Sequence, residues 1–165
     1  MPSRTRAWVW RAHRSIRSID EARAAVRMLL GSWNVRRRKQ HEPLALLVRR
    51  FAGQGSGTPG LVPSRVIDLA WLVCRASRGG GPGNCLERSL VLFRGLGEAG
   101  VRPELWFGVR AGDPRDGHVW VVLDGVPAGD DPAMLRDYVP LMVFGPDGAL
   151  TSGSEAAPPP SISWA

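Results

Sequence analysis

Cysteine is nearly absent: Cys74 and Cys85 are the only two in 165 residues. A disulfide framework is thereby excluded, and a zinc site would need closely paired thiols or histidines that the three histidines do not supply. Lysine is scarcer still, with Lys39 alone among 22 basic residues. The net charge of +7 is therefore almost wholly arginine, which reads as genome composition rather than as a mixed patch built to release counterions from nucleic acid. No helix-turn-helix spacing, zinc motif or aromatic-rich RNA signature accompanies the arginines, so no nucleic acid is expected as a partner. Long apolar runs are missing too. Leu44 to Val48 and Val119 to Leu123 each hold five residues, against the roughly 20 that span a bilayer. Arg11, Arg14 and Arg17 break up the start before a secretion-signal core can form. The expected location is the reducing cytoplasm, where free thiols persist. No glycine loop ending in lysine is present to cradle phosphate, and no cofactor is expected.

What is present supports one domain, since 44% hydrophobic residues in a chain of this length supply one core but not two. Ser18-Ile19-Asp20-Glu21 has the form of a capping box, followed by an apolar stripe of Ala22, Val26, Leu29 and Leu30, with Gly31 as a stop. Arg36-Arg37-Arg38-Lys39 reads as a solvated loop. Pro43 opens a second helix with Leu44, Leu47, Val48 and Phe51 on one face, and glycines from Gly53 to Gly60 make a linker. The expected organisation is a basic helical segment and linker over 1–60, a compact domain over 61–152 and a disordered tail over 153–165. A third helix from Ser64 to Ser77 turns Val66, Ile67, Ala70, Trp71 and Cys74 inward, and Arg78 to Gly83 then turns sharply before Asn84. Cys85 to Ala99 is helical, stopped by Gly100, and Leu105, Phe107 and Val109 alternate as a strand. Ala111 to Gly117 reads as a turn. His118 to Leu123 is a second strand with His118, Trp120 and Val122 on one face and Val119, Val121 and Leu123 on the other. Asp124-Gly125 is a tight-turn pair, Asp131-Pro132 starts a short helix through Tyr138, and Leu141 to Phe144 forms one more strand.

A thiol is a useful nucleophile only as a thiolate, and a helix N-terminus favours that charge through its unpaired backbone N–H groups and its dipole. Cys85 holds such a position, with Asn84 as a cap and Glu87 able to reach back to the Asn84 N–H. The same N–H groups can help stabilise an oxyanion. Only His118 lies downstream to act as base, at the start of a strand from which it can point back to the helix tip. Asp130, Asp131 and Asp124 are the carboxylates available to orient it, Asp124 being the one suited to the turn and Asp131 to capping a helix.

The blocks Gly83-Asn84-Cys85-Leu86-Glu87-Arg88-Ser89-Leu90, Gly117-His118-Val119-Trp120-Val121 and Asp130-Asp131-Pro132 together resemble the lasso-peptide biosynthetic B proteins, over residues 61 to about 144. Val119 and Val122 stand where that family usually carries alanine and glutamate. The resemblance implies an α+β fold with a transglutaminase-like, papain-like cysteine protease core, preceded here by a helical N-terminal segment. It implies a Cys85, His118, Asp130 triad that cuts the leader peptide from a ribosomally made, post-translationally modified antibiotic precursor. The 1–60 segment is too short and too helical for a fused leader-recognition module. The resemblance is therefore to the split form, with a separate leader-recognition protein and an ATP-dependent, asparagine-synthetase-like lasso cyclase as partners.

Each residue also has a plainer reading. Cys74 belongs to the buried face of its helix. Trp120 either lines the substrate cleft and shields His118 or packs into the core. Arg88 pairs with Glu87 or with a core carboxylate. Two other functions remain open on the sequence alone: acyl transfer to an amine by the same three residues, and a non-catalytic basic module that binds an acidic partner.

Overall fold

The computed structural model describes residues 16–53, 61–78 and 85–152. The proposed disordered tail, the glycine linker and the turn leading into Asn84 lie largely or wholly outside them. Five helices, α1 Ile19–Arg38, α2 Leu44–Phe51, α3 Pro63–Arg78, α4 Cys85–Glu98 and the short α5 Pro132–Leu135, accompany five strands. The strands are β1 Glu104–Arg110, β2 Asp113–Leu123, β3 Val126–Ala128, β4 Tyr138–Phe144 and β5 Leu150–Ser152. They form one antiparallel sheet in the order β3-β2-β1-β4-β5. The arrangement is α+β, as the sequence implied. No helix among the described residues is long and apolar enough to cross a membrane.

Alternation along the strands gives the sheet two unlike faces. Leu105, Val119, Val121 and Phe144 join the main core with Ala24, Met28, Val35, Val48, Phe51, Leu69 and Leu90 from α1 to α4. Trp106, Trp120, Val122, Tyr138 and Val143 form a second cluster on the other face, closed by Leu135 of α5. The expected division of β2 into a His118 face and a Val119 face is thus observed. Helices before and after Leu61 contribute to the same cluster, so packing is continuous across that position.

Ser18 caps α1 by accepting from the Glu21 N–H at 3.1 Å, as the capping box predicts. Gly31, expected to end this helix, lies inside it, and α1 runs on to Arg38. A glycine within a helix costs only about 1 kcal/mol relative to alanine, so a buried, well-packed helix runs through it; a Cβ at Gly31 would make only ordinary contacts with Phe51 and Val91, at 3.7 and 3.9 Å. The buried face is Glu21, Ala24, Met28, Gly31, Ser32 and Val35. It lies opposite the apolar stripe of Ala22, Val26, Leu29 and Leu30. Arg36, Arg37 and Arg38 are the last turn of α1, not a loop, where positive charge complements the helix dipole.

Two other boundaries differ. β2 begins at Asp113 because the Ala111–Gly117 stretch continues the hairpin past a bulge at Val109/Arg110. α5 ends at Leu135, and Tyr138 opens β4, where it pairs with Arg110 of β1. Asp124 and Gly125 both take positive φ, 52° and 79°, the geometry of a tight two-residue hairpin turn. Gly100, with φ 85°, follows α4 as expected.

Candidate active site

Cys85 is the first residue of α4, whose side chains Leu90, Phe93 and Leu96 bury it against the sheet and the other helices. One turn along, the buried Ser89 hydroxyl donates to the Val119 carbonyl at 2.8 Å. That bond ties the start of α4 to β2 beside His118. β3 pairs only with Val121 to Leu123, so the β2 edge at His118 stays open to the helix tip.

The imidazole of His118 faces Cys85, and its proximity is the main reason the thiol is held below the ordinary 9.0. The Val119 and Leu86 backbone N–H groups add to it, while partial burial opposes it. His118 is pushed up to about 9, first by Asp130 and then by Cys85, against the cost of burial. Nε2 of His118 stands 3.6 Å from Oδ1 of the buried Asp130, an ion-pair distance longer than a hydrogen bond. With Nε2 turned to Asp130, Nδ1 is the ring nitrogen available to the sulfur. Cys74 is different: burial pushes its thiol up to about 11.

Asp130 is held from the other side. The same Oδ1 accepts from Arg88, whose guanidinium lies 4.4 Å over the Trp71 ring. The Trp71 indole N–H donates to the Gly129 carbonyl at 2.8 Å. Gly129 has φ 81°, and a Cβ there would meet Leu92, Trp71 and Ile67 at 3.2–3.3 Å. Only glycine fits this turn without strain. Asp131 points elsewhere and caps α5 by accepting from the Ala133 N–H at 2.9 Å.

The structure therefore brings Cys85, His118 and Asp130 together and separates Asp131 and Asp124 from them. Trp120 is fully buried, so it does not line a cleft; its ring stacks on His118 at 6.1 Å and 16° within the second cluster. Gly108, directly across from His118, makes room for it, since a Cβ there would fall 2.8 Å from the indole. Glu87 is buried and meets Arg36 at 2.6 Å, while its expected capping partner Asn84 lies outside the described residues.

Of the two partners the sequence left open for Arg88, Glu87 or a core carboxylate, the second is observed, in Asp130. Sequence reasoning missed the Ser89 tie and a polar cluster next to His118. In that cluster the Tyr138 hydroxyl donates to Asp116 at 2.9 Å, Arg110 bonds both, and the Tyr138 ring lies 5.3 Å from His118. Tyr138 is the sole tyrosine of the chain, but nothing in its neighbours announces that contact.

A thiolate beside an imidazolium, backed by a carboxylate at a helix N-terminus, can attack a carbonyl carbon and carry an acyl group. Comparison with family models matches residues 7–143 to the Transglutaminase-like superfamily. Neither the curated proteins nor the solved structures gave a match. The match spans Cys85, His118 and Asp130, extends through α1 and α2, and belongs to a superfamily whose members are generally cysteine-dependent enzymes. With most of its residues covered, the chain belongs to the transglutaminase-like superfamily.

Proposed function

We propose that the protein is a cysteine protease that cuts the leader peptide from a lasso-peptide precursor. The observation that carries the reading is the Cys85–His118–Asp130 contact at the start of α4, with the thiol lowered and the imidazole raised. The Cys85 thiolate attacks the scissile carbonyl carbon, and the carbonyl electrons move to oxygen, where backbone N–H groups at the start of α4 stabilise them. His118 gives its proton to the leaving amine as the C–N bond breaks, leaving the leader as a thioester on Cys85. Water, deprotonated by His118, then releases the leader carboxylate and the thiolate. Asp130 orients the ring throughout. The freed core peptide passes to an ATP-dependent, asparagine-synthetase-like cyclase. A separate leader-recognition protein presents the precursor, and the setting is the cytoplasm. The superfamily match also favours a second reading, in which an amine rather than water takes the acyl group from Cys85.

The pH dependence of Cys85 alkylation in Cys74→Ser protein tests the foundation without a substrate. Cys85 should titrate below 9.0, and His118→Ala should raise its value. A thiol that ignores His118 would remove the mechanism. Mass spectrometry of a candidate precursor, with and without a recognition protein, then separates hydrolysis from transfer. Product still formed by Cys85→Ala protein would exclude both.

A further inference from the structure

The apolar stripe of α1 is turned to solvent. Ile19, Val26, Leu29, Leu30 and Trp33 are between 48% and 69% exposed, an unusual concentration for one helix face. Ile19, Ala22, Val26, Leu29 and Trp33 recur at intervals of three, four, three and four, the spacing of a two-position seam that packs against another helix. Leu30 widens the seam along one flank. On that flank stand Arg23 and Arg37, the second lying 4.6 Å over the Trp33 ring. Among the described residues, Asp20 is the acidic side chain that meets this flank, within 3.5 Å of Arg23.

We infer that this face of α1 docks an amphipathic helix of another protein, one with apolar residues along its seam and acidic residues beside it. The spacing calls for a helix rather than an extended segment, because a strand would present its side chains at a period of two. Charge selects the occupant. A second copy of this chain would bring Arg23 and Arg37 against the same two arginines in a parallel pairing and would offer them only Asp20, already beside its own Arg23, in an antiparallel one, whereas glutamates or aspartates there form pairs across the seam. A bilayer surface is the competing occupant, which the vesicle measurement below addresses. The surface lies on the side of α1 directly opposite the residues packed into the core, so docking needs no rearrangement of the fold. It also stands independently of the chemistry at Cys85.

Two synthetic helical peptides with the same leucine and isoleucine seam, one flanked by glutamates and one by lysines, test the inference against the full chain by fluorescence anisotropy. The glutamate peptide should bind. Its affinity should fall by at least about tenfold in Val26→Ser/Leu29→Ser protein, and Arg23→Glu/Arg37→Glu should transfer the preference to the lysine peptide. All four side chains are exposed, so thermal melts should match wild type. Failure of both peptides to bind, or binding indifferent to the seam substitutions, overturns the inference. Self-association lost in Val26→Ser/Leu29→Ser protein would assign the face to a second copy. Seam-dependent binding to phosphatidylserine vesicles without peptide binding would assign it to lipid.

Discussion

Asp130 Oδ1 is shared between Arg88 and His118, and this sharing sets opposite expectations for two substitutions. Asp130→Asn removes the main cause of the raised His118 value, so the alkaline limb of activity, expected near 9, should move to lower pH. Arg88→Ala leaves His118 as the nearest cation to that oxygen, so the imidazolium proton is held more firmly and the limb should move up. The acid limb lies below 9.0 in either case, since it follows the lowered thiol. A pH profile of initial rates, or of Cys85 alkylation, separates the two shifts from a general loss of folding. Cys85, His118 and Asp130 were legible in the sequence because a glycine-preceded helix start, a following histidine strand and a family pattern agreed on them. Which carboxylate Arg88 meets was not, because that partner lies 42 residues away and only the fold brings them together.

One short connection, from the Ser89 hydroxyl to the Val119 carbonyl, ties α4 to β2. Ser89→Ala leaves the Val119 carbonyl buried without its donor, which should cost about 1–3 kcal/mol of stability in chemical denaturation. Because Val119 adjoins His118, kcat should fall more than KM rises. Element existence was largely readable: α1 to α4, β1, the core of β2 and the Asp124-Gly125 turn all follow from periodicity and capping. Which face of α1 is inside was not. Its true inner face carries Glu21, Gly31 and Ser32, small or polar residues that the helix can bury because Glu21 meets Arg65 at 3.0 Å and Ser32 lies beside Arg36. Apolar periodicity pointed instead to the outer stripe, which is the more hydrophobic side of the same helix. β5 was invisible, since Leu150 to Ser152 is too short to show alternation.

At the scale of the whole molecule, α1 is joined to the candidate site by charge. Arg36, near the end of α1, donates to Glu87 on α4 at 2.6 Å and to the Ser77 hydroxyl on α3 at 2.9 Å. Glu87 is buried and Arg36 partly so. Arg36→Ala should therefore destabilise by about 2–3 kcal/mol, somewhat less than the loss of a partner in a fully buried pair, as measured by denaturant melts. The sequence could not reveal this, since the basic run around Arg36 looked like a solvated stretch and its partner sits 51 residues on. A consequence follows for anyone wishing to move the chemistry elsewhere. The residues that resemble a protease lie after Leu61, yet the bolt that fixes the nucleophile's helix comes from before it. A graft of residues 61–144 onto a foreign scaffold would carry Cys85, His118 and Asp130 and lose the Arg36 contact that holds α4; the candidate site is not a cassette.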